Sequence, residues 1–184
     1  MIRNWRWPIV AGLLVAALAY VVTLRRAPTM LMAAAERRLE KLGGVNRFAH
    51  APLATAASRA VVRPSPDLAY SSCVFDASKA PVLVDVAPVP ARYWSLSVFG
   101  ANTDVAFVRN NVEAGNAPIR LALVTAGQAV PAGYTGVLVP GGHGVALVRI
   151  LVDDRARFAL VDQARRVSTC GVAAGGERGA GEMG

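Results

Sequence analysis

Residues 9–24, IVAGLLVAALAYVVTL, carry no charge and sit between Trp5, Arg6 and Trp7 on one side and Arg25 and Arg26 on the other. As a helix they extend about 24 Å at ~1.5 Å per residue, and Trp7 and Pro8 bring the apolar stretch close to the ~30 Å hydrocarbon core of a bilayer. The pattern predicts a transmembrane anchor within residues 1–26 that meets lipid through residues 8–24, with Trp5, Trp7 and Tyr20 at interfacial depth. A cleaved secretory signal is the competing reading, with Arg3 and Arg6 as its basic region and Ala17-Leu18-Ala19 as a small-x-small cleavage site. The apolar run continues past Ala19 to Leu24, which favours the uncleaved anchor. The flanking arginines tie, Arg3 and Arg6 against Arg25 and Arg26, so the positive-inside count does not orient the span. The short leading segment cannot fold and the long following one must hold the functional body. The expected topology is single-pass in a bacterial inner membrane, with the body in the periplasm.

Beyond the arginines the period changes. Pro28 and Thr29 read as a helix start and Gly43-Gly44 as its stop, so a stalk helix is expected within residues 27–45, with Leu31, Ala35, Leu39 and Leu42 on one face. Residues 46–63 lose periodicity and read as a wrapping loop. Seven short runs rich in Val, Leu, Tyr and Phe follow, at 70–75, 82–86, 93–99, 105–108, 119–124, 136–139 and 145–151, separated by Gly, Pro, Asn and Asp clusters. No helix-length segment lies between them, which argues against a parallel α/β sheet. The expected class is mainly β, an antiparallel sandwich or jelly-roll-like domain over residues 46–170. Gly141, Gly142 and Gly144 read as a hairpin turn before the last run. A C-terminal helix capped by Asp153 or Asp154 places Phe158, Val161 and Arg165 on one face, with Arg165 and Arg166 at the negative end of its dipole. Residues 171–184, glycine-rich and almost without large apolar side chains, read as a disordered tail.

Charge changes this picture little. The formal net charge is +8, but four arginines flank the apolar run and the remaining arginines are spread along the chain and not clustered with aromatics, so no basic groove and no nucleic-acid partner is expected. Cys73 and Cys170 are the two cysteines. In an oxidising compartment they would pair and close a loop of ~100 residues, worth up to ~4.7 kcal/mol in the chain-entropy model. Two unrelated thiols, with Cys73 a small buried strand residue, are the alternative.

Three stretches carry a resemblance: RPSPDLAYSSCVFDASKAPVLVDV at 63–86, ARYWSLSVFGANTD at 91–104 and GVALVRILVDD at 144–154. Together they resemble the bacterial family catalogued as domain of unknown function 1254. Asp67, Tyr70, Ser71, Asp76, Pro81, Arg92, Tyr93, Trp94 and Arg149 occupy that family's motif positions. Ser65 departs from the asparagine that many relatives place two residues before the aspartate. The resemblance implies a β-rich envelope domain without an assigned reaction. Relatives are often about twice as long and continue into a domain catalogued as domain of unknown function 1214, so the resemblance also implies a separate partner chain carrying that domain.

Asp67 just before a strand, Tyr70 three residues later and Arg92 at the entrance of another would meet at one end of a sandwich, with Tyr93 and Arg149 added from the family's motif positions. They are the candidate ligand-binding residues, an arginine fork and a carboxylate suited to a polar ligand. The alternative is structural: Asp67 or Asp76 pairs with Arg92 or Arg149 to organise turns. No cofactor or metal site is expected, since His50 and His143 lie far apart with no HExxH or Cys-His spacing. An enzyme, possibly metal-dependent and using Asp67, Tyr70 and Arg92 with a histidine, stays open as the second functional class. The first is a membrane-anchored domain that binds a partner protein or an envelope ligand.

Overall fold

The expected anchor and stalk form one helix, α1 (Arg6–Gly43), of 38 residues. The structure is a computed structural model and describes residues 5–55, 58 and 64–173; Arg63 and the tail from residue 174, expected to be disordered, lie outside them. Pro28 stands inside α1 and not at a helix start. It removes one amide donor and leaves the Leu24 carbonyl without its intrahelical partner. Helix-favouring Leu, Ala, Met, Arg and Glu on both sides carry the helix through, and Thr29 Oγ1 donates to the Arg26 carbonyl at 2.9 Å. At ~1.5 Å per residue the helix is about 57 Å long. Among the described residues it is the one helix long and apolar enough to cross a membrane. Its apolar half buries nothing against the rest of the chain: Leu13, Leu14, Val15 and Leu18 are all about two-thirds exposed.

The seven expected strands are present as β2 (Leu68–Asp76), β3 (Val82–Val86), β4 (Trp94–Gly100), β5 (Val105–Asn110), β6 (Ile119–Val124), β7 (Thr135–Leu138) and β8 (His143–Leu151). Two more were not expected. β1 (Arg47–His50) lies in the stretch read as loop, and β9 (Thr169–Val172) reaches into the stretch read as tail. Four residues are too few to display a period-two pattern, and both strands exist through pairing, β1 on β2 and β9 on β3. The sheets have orders β1-β2-β8-β4-β5 and β7-β6-β3-β9. All pairs are antiparallel except β6 with β7.

The sheets face each other across a core that includes Trp94, Phe75, Leu96 and Ile150 from the first and Leu121 and Leu123 from the second. Cys73 on β2 and Cys170 on β9 are disulfide-bonded, with Cα atoms 6.5 Å apart, and so tie one sheet to the other. The glycine segment before β8 is not a hairpin turn. It carries the chain from the four-stranded sheet into the five-stranded one, because β7 and β8 belong to different sheets. Gly144 is required there: a Cβ would lie 2.0 Å from the Phe99 carbonyl oxygen on the neighbouring strand. After β8, Asp154 Oδ1 accepts from Ala156 N at 2.9 Å and caps a 3-10 turn, Arg155–Arg157. The α-helix α2 (Phe158–Arg165) follows that turn, one step later than the capping aspartates suggest.

The last turns of α1 lie on the outer face of the five-stranded sheet. Met32 is buried there with Val74 and Val145, and Leu39 and Phe99 pack around them. The face used is therefore Met32, Glu36, Leu39 and Gly43, whereas Leu31 and Leu42 of the expected face stay exposed. Glu36 meets His143 Nδ1 at 3.0 Å, and Gly43 comes so near β1 that a Cβ would sit 2.6 Å from that of Ala49.

Candidate functional site

Strands β2, β8 and β4 lie side by side, and their ends bring the candidate residues to one region. Val152 N donates to the Asp67 carbonyl and Leu151 N to the Tyr93 carbonyl, both at 2.9 Å, so Asp67 and Tyr93 flank the end of β8. Arg92 adjoins them, held through its backbone: the buried Asn111 donates from Nδ2 to the Arg92 carbonyl at 3.3 Å and accepts from Trp94 N at 3.2 Å. The side chains of Asp67, Arg92 and Tyr93 point no fork at one another. All three are exposed, and among the described residues neither the Asp67 carboxylate nor the Arg92 guanidinium has an ion-pair partner. The structural alternative is not realised either, since Asp76 instead accepts from Ser78 N at 2.9 Å. Those Ser78 hydrogen bonds hold its carboxyl below the ordinary 3.8.

Tyr70 and Arg149 do meet. They are register partners across β2 and β8, and Ser95 is the register partner of Arg149 across β4. Side chains alternate between faces of a strand. Ala69, Val148, Ile150 and Leu96 enter the core, so Tyr70, Arg149, Ser95 and Ser97 share the outer face, beside the patch that receives α1. Tyr70 and Arg149 are half-buried, whereas Ser95 and Ser97 are 1% and 0% exposed. Arg149 Nη2 donates to Ser97 Oγ at 3.0 Å, and the Tyr70 hydroxyl accepts from Ser65 N at 3.0 Å. Arg149 Nε and Ser95 Oγ are closed to solvent and have no hydrogen-bond partner. A third such atom, Trp94 Nε1, lies on the opposite, core face of β4. Chemically, the outer face offers a guanidinium without a carboxylate and two hydroxyls with unused donors.

A second polar cluster was not singled out from the sequence. Arg165 on α2 is 1% exposed. Its guanidinium donates to the Tyr70 carbonyl at 2.7 Å, to the Ala51 carbonyl at 2.7 Å and to Asp162 Oδ1 at 2.8 Å. His50 Nδ1 lies 2.9 Å from Ser71 Oγ, which also accepts from Arg165. Burial and then the Arg165 and Arg166 charges push the His50 pKa below 6.5. Burial raises the Asp162 carboxyl, but hydrogen bonds from Arg166 and Arg165 outweigh it and hold the carboxyl below 3.8. The guanidinium of Arg165 is almost fully spent on fixed partners and Ser71 is closed to solvent, so this cluster staples α2 to the β1–β2 edge. The signal for it was the Val161 and Arg165 spacing, which puts an arginine on the face that buries. Among the described residues no three His, Cys, Asp or Glu side chains come together in a way that could hold a metal ion.

A family model described as protein of unknown function, DUF1254, matches residues 45–170. The chain belongs to the DUF1254 family. No curated protein matches it. Among solved structures it is similar to the VPA0106 protein of Vibrio parahaemolyticus, at 14% identity and a TM-score of 0.62, over 82% of this chain and 36% of that one. An uncharacterised protein from Burkholderia cenocepacia also matches, at 17% identity and a TM-score of 0.40, over 70% of this chain and 37% of its own. The DUF1254 chain thus spans little more than a third of the length of these structures. The first likeness supports the sandwich fold.

Proposed function

We propose that this DUF1254 protein is a membrane-anchored envelope domain that acts by binding, its body in the periplasm and its binding surface on the outer face and adjoining end of the five-stranded sheet. One observation carries the binding reading: Arg149, a half-buried cation, has no carboxylate partner among the described residues and keeps a buried N–H unpaired. A buried charge is retained against its desolvation cost when something pairs with it, and here a ligand or partner would supply the pair. Asp67, Arg92 and Tyr93 at the adjoining end provide exposed side chains of both charge types for the same contact. The disulfide supports the compartment, since such bonds persist in the periplasm and are rare in the bacterial cytosol. Helix α1 supports the anchoring, because its apolar half buries nothing on the body while its last turns pack on the sheet. The occupant is either an envelope ligand or a protein, including a separate chain that carries a domain of unknown function 1214.

The test is affinity purification of the full-length protein from mild detergent, with bound proteins, small molecules and metal identified together by mass spectrometry. The reading expects a stoichiometric companion that is depleted in an Arg149→Ala variant of normal abundance. A stoichiometric metal lost on His50→Ala or His143→Ala substitution, with no companion, would instead establish the enzyme reading.

A further inference from the structure

Resting on that binding reading, we infer that the outer face of the five-stranded sheet holds a carboxylate site, built from Arg149 with Ser95 and Tyr70 as the neutral donors. Three observations converge on it. Arg149 is half-buried yet has no anionic partner among the described residues, and its Nε–H is closed to solvent and unbonded. Ser95, its register partner on β4, is 1% exposed and likewise leaves its hydroxyl unbonded. Tyr70, its register partner on β2, uses its hydroxyl oxygen to accept from Ser65 N, which leaves the O–H free to donate. All three belong to adjacent central strands, so their positions are fixed by ladder hydrogen bonds on both sides of β8. Buried donors without acceptors are rare in folded proteins and call for an occupant that supplies lone pairs. Here each unspent group can donate, the Arg149 Nε–H and the Ser95 and Tyr70 hydroxyls.

Charge selects the class of occupant. One guanidinium with two neutral hydroxyls balances a single negative charge, and the planar fork of arginine matches the two oxygens of a carboxylate. A phosphate dianion would call for a second cation, and no other cationic residue is a register partner within Tyr70, Arg149 and Ser95. Half-buried Arg149 and Tyr70 give the site its opening to solvent. In an envelope, such a carboxylate is carried by an acidic sugar or by a peptide C-terminus.

Isothermal calorimetry on the full-length protein in detergent tests this with four probes: galacturonate, galactose, N-acetylalanine and inorganic phosphate. The expected result is binding of galacturonate or N-acetylalanine, which tells sugar from peptide carboxylates, with no binding of neutral galactose. Arg149→Lys keeps a charge but loses the fork and should weaken that affinity by about tenfold or more, roughly the cost of losing one charge-assisted hydrogen bond. Ser95→Ala should weaken it several-fold while leaving the thermal midpoint unchanged or higher, because it removes a buried hydroxyl that has no partner in the free protein. Binding of neither carboxylate, tighter binding of phosphate, or affinity unchanged in both variants would overturn the site. If a companion still co-purifies equally with wild type and with Arg149→Lys, the binding function stands and the carboxylate site alone has failed.

Discussion

Arg165 shows how one side chain sets the conditions under which this domain holds together. Replacing it with Leu leaves the Ala51 carbonyl without this donor, takes one of two donors from the Tyr70 carbonyl, which keeps Ala51 N, and leaves the Asp162 carboxylate short of one partner. An orphaned buried group costs ~1–3 kcal/mol, so we expect a loss of about 1–3 kcal/mol in denaturant unfolding of the detergent-solubilised protein. The same cluster gives a pH dependence. His50 titrates lower in the folded state than its ordinary 6.5, so the unfolded chain binds more protons below that value and stability falls with acidification. The contribution is fully present above pH 6.5 and is lost as pH falls through the folded value. Asp76 and Asp162, held below 3.8, add a further loss only at more acid pH. His50→Asn should flatten the first loss and spare the second, which unfolding midpoints between pH 7 and pH 3 would reveal; an unchanged slope below pH 6.5 would sink this assignment. Tyr70 and Arg149 were legible as candidates because they sit in family motif positions. Ser95 and Ser97 were not, because a serine in a strand shows nothing until register puts it opposite an arginine.

Among the elements, α1 joins an apolar half long enough to cross a membrane to last turns that pack on the five-stranded sheet. Met32 buries against Val74 and Val145, so Met32→Ala should cost on the order of 2 kcal/mol or more by loss of packing. Its effect should appear as looser docking of the helix, measured as broadened spin-label distances between residue 35 and a site on β8, with the sandwich itself still folded. The Glu36–His143 pair, with His143 exposed and Glu36 half-buried, is a partly solvated surface contact and adds little to that docking. Seven strands were readable from short apolar runs bounded by turn residues. β1 and β9 were not, since edge strands of four residues owe their state to a neighbour and not to their own pattern. The boundary at Pro28 misled for a related reason. A proline marks a local cost, and the favourable residues around it decide whether the helix continues. The glycines at 141, 142 and 144 announce a tight turn, but which sheet the chain enters next is a tertiary matter.

At the scale of the molecule, the disulfide cross-ties the two sheets of the sandwich and the apolar half of α1 is long enough to span a bilayer, which fits the anchored, binding arrangement proposed above. Closing a 97-residue separation, the Cys73–Cys170 bond should contribute up to ~4.7 kcal/mol. Thiol trapping in intact cells should find both cysteines oxidised, and reductant should lower the unfolding midpoint of the purified protein; free thiols in cells would place the body in a reducing compartment. The most direct test of the binding claim is photo-cross-linking in living cells with a photoreactive residue at Arg92, by the end of β4, and separately at Leu138, an exposed position on the other sheet. The account predicts a discrete mass-shifted adduct from position 92 and none from position 138. Adducts from position 138 alone, or equally from both, would contradict it.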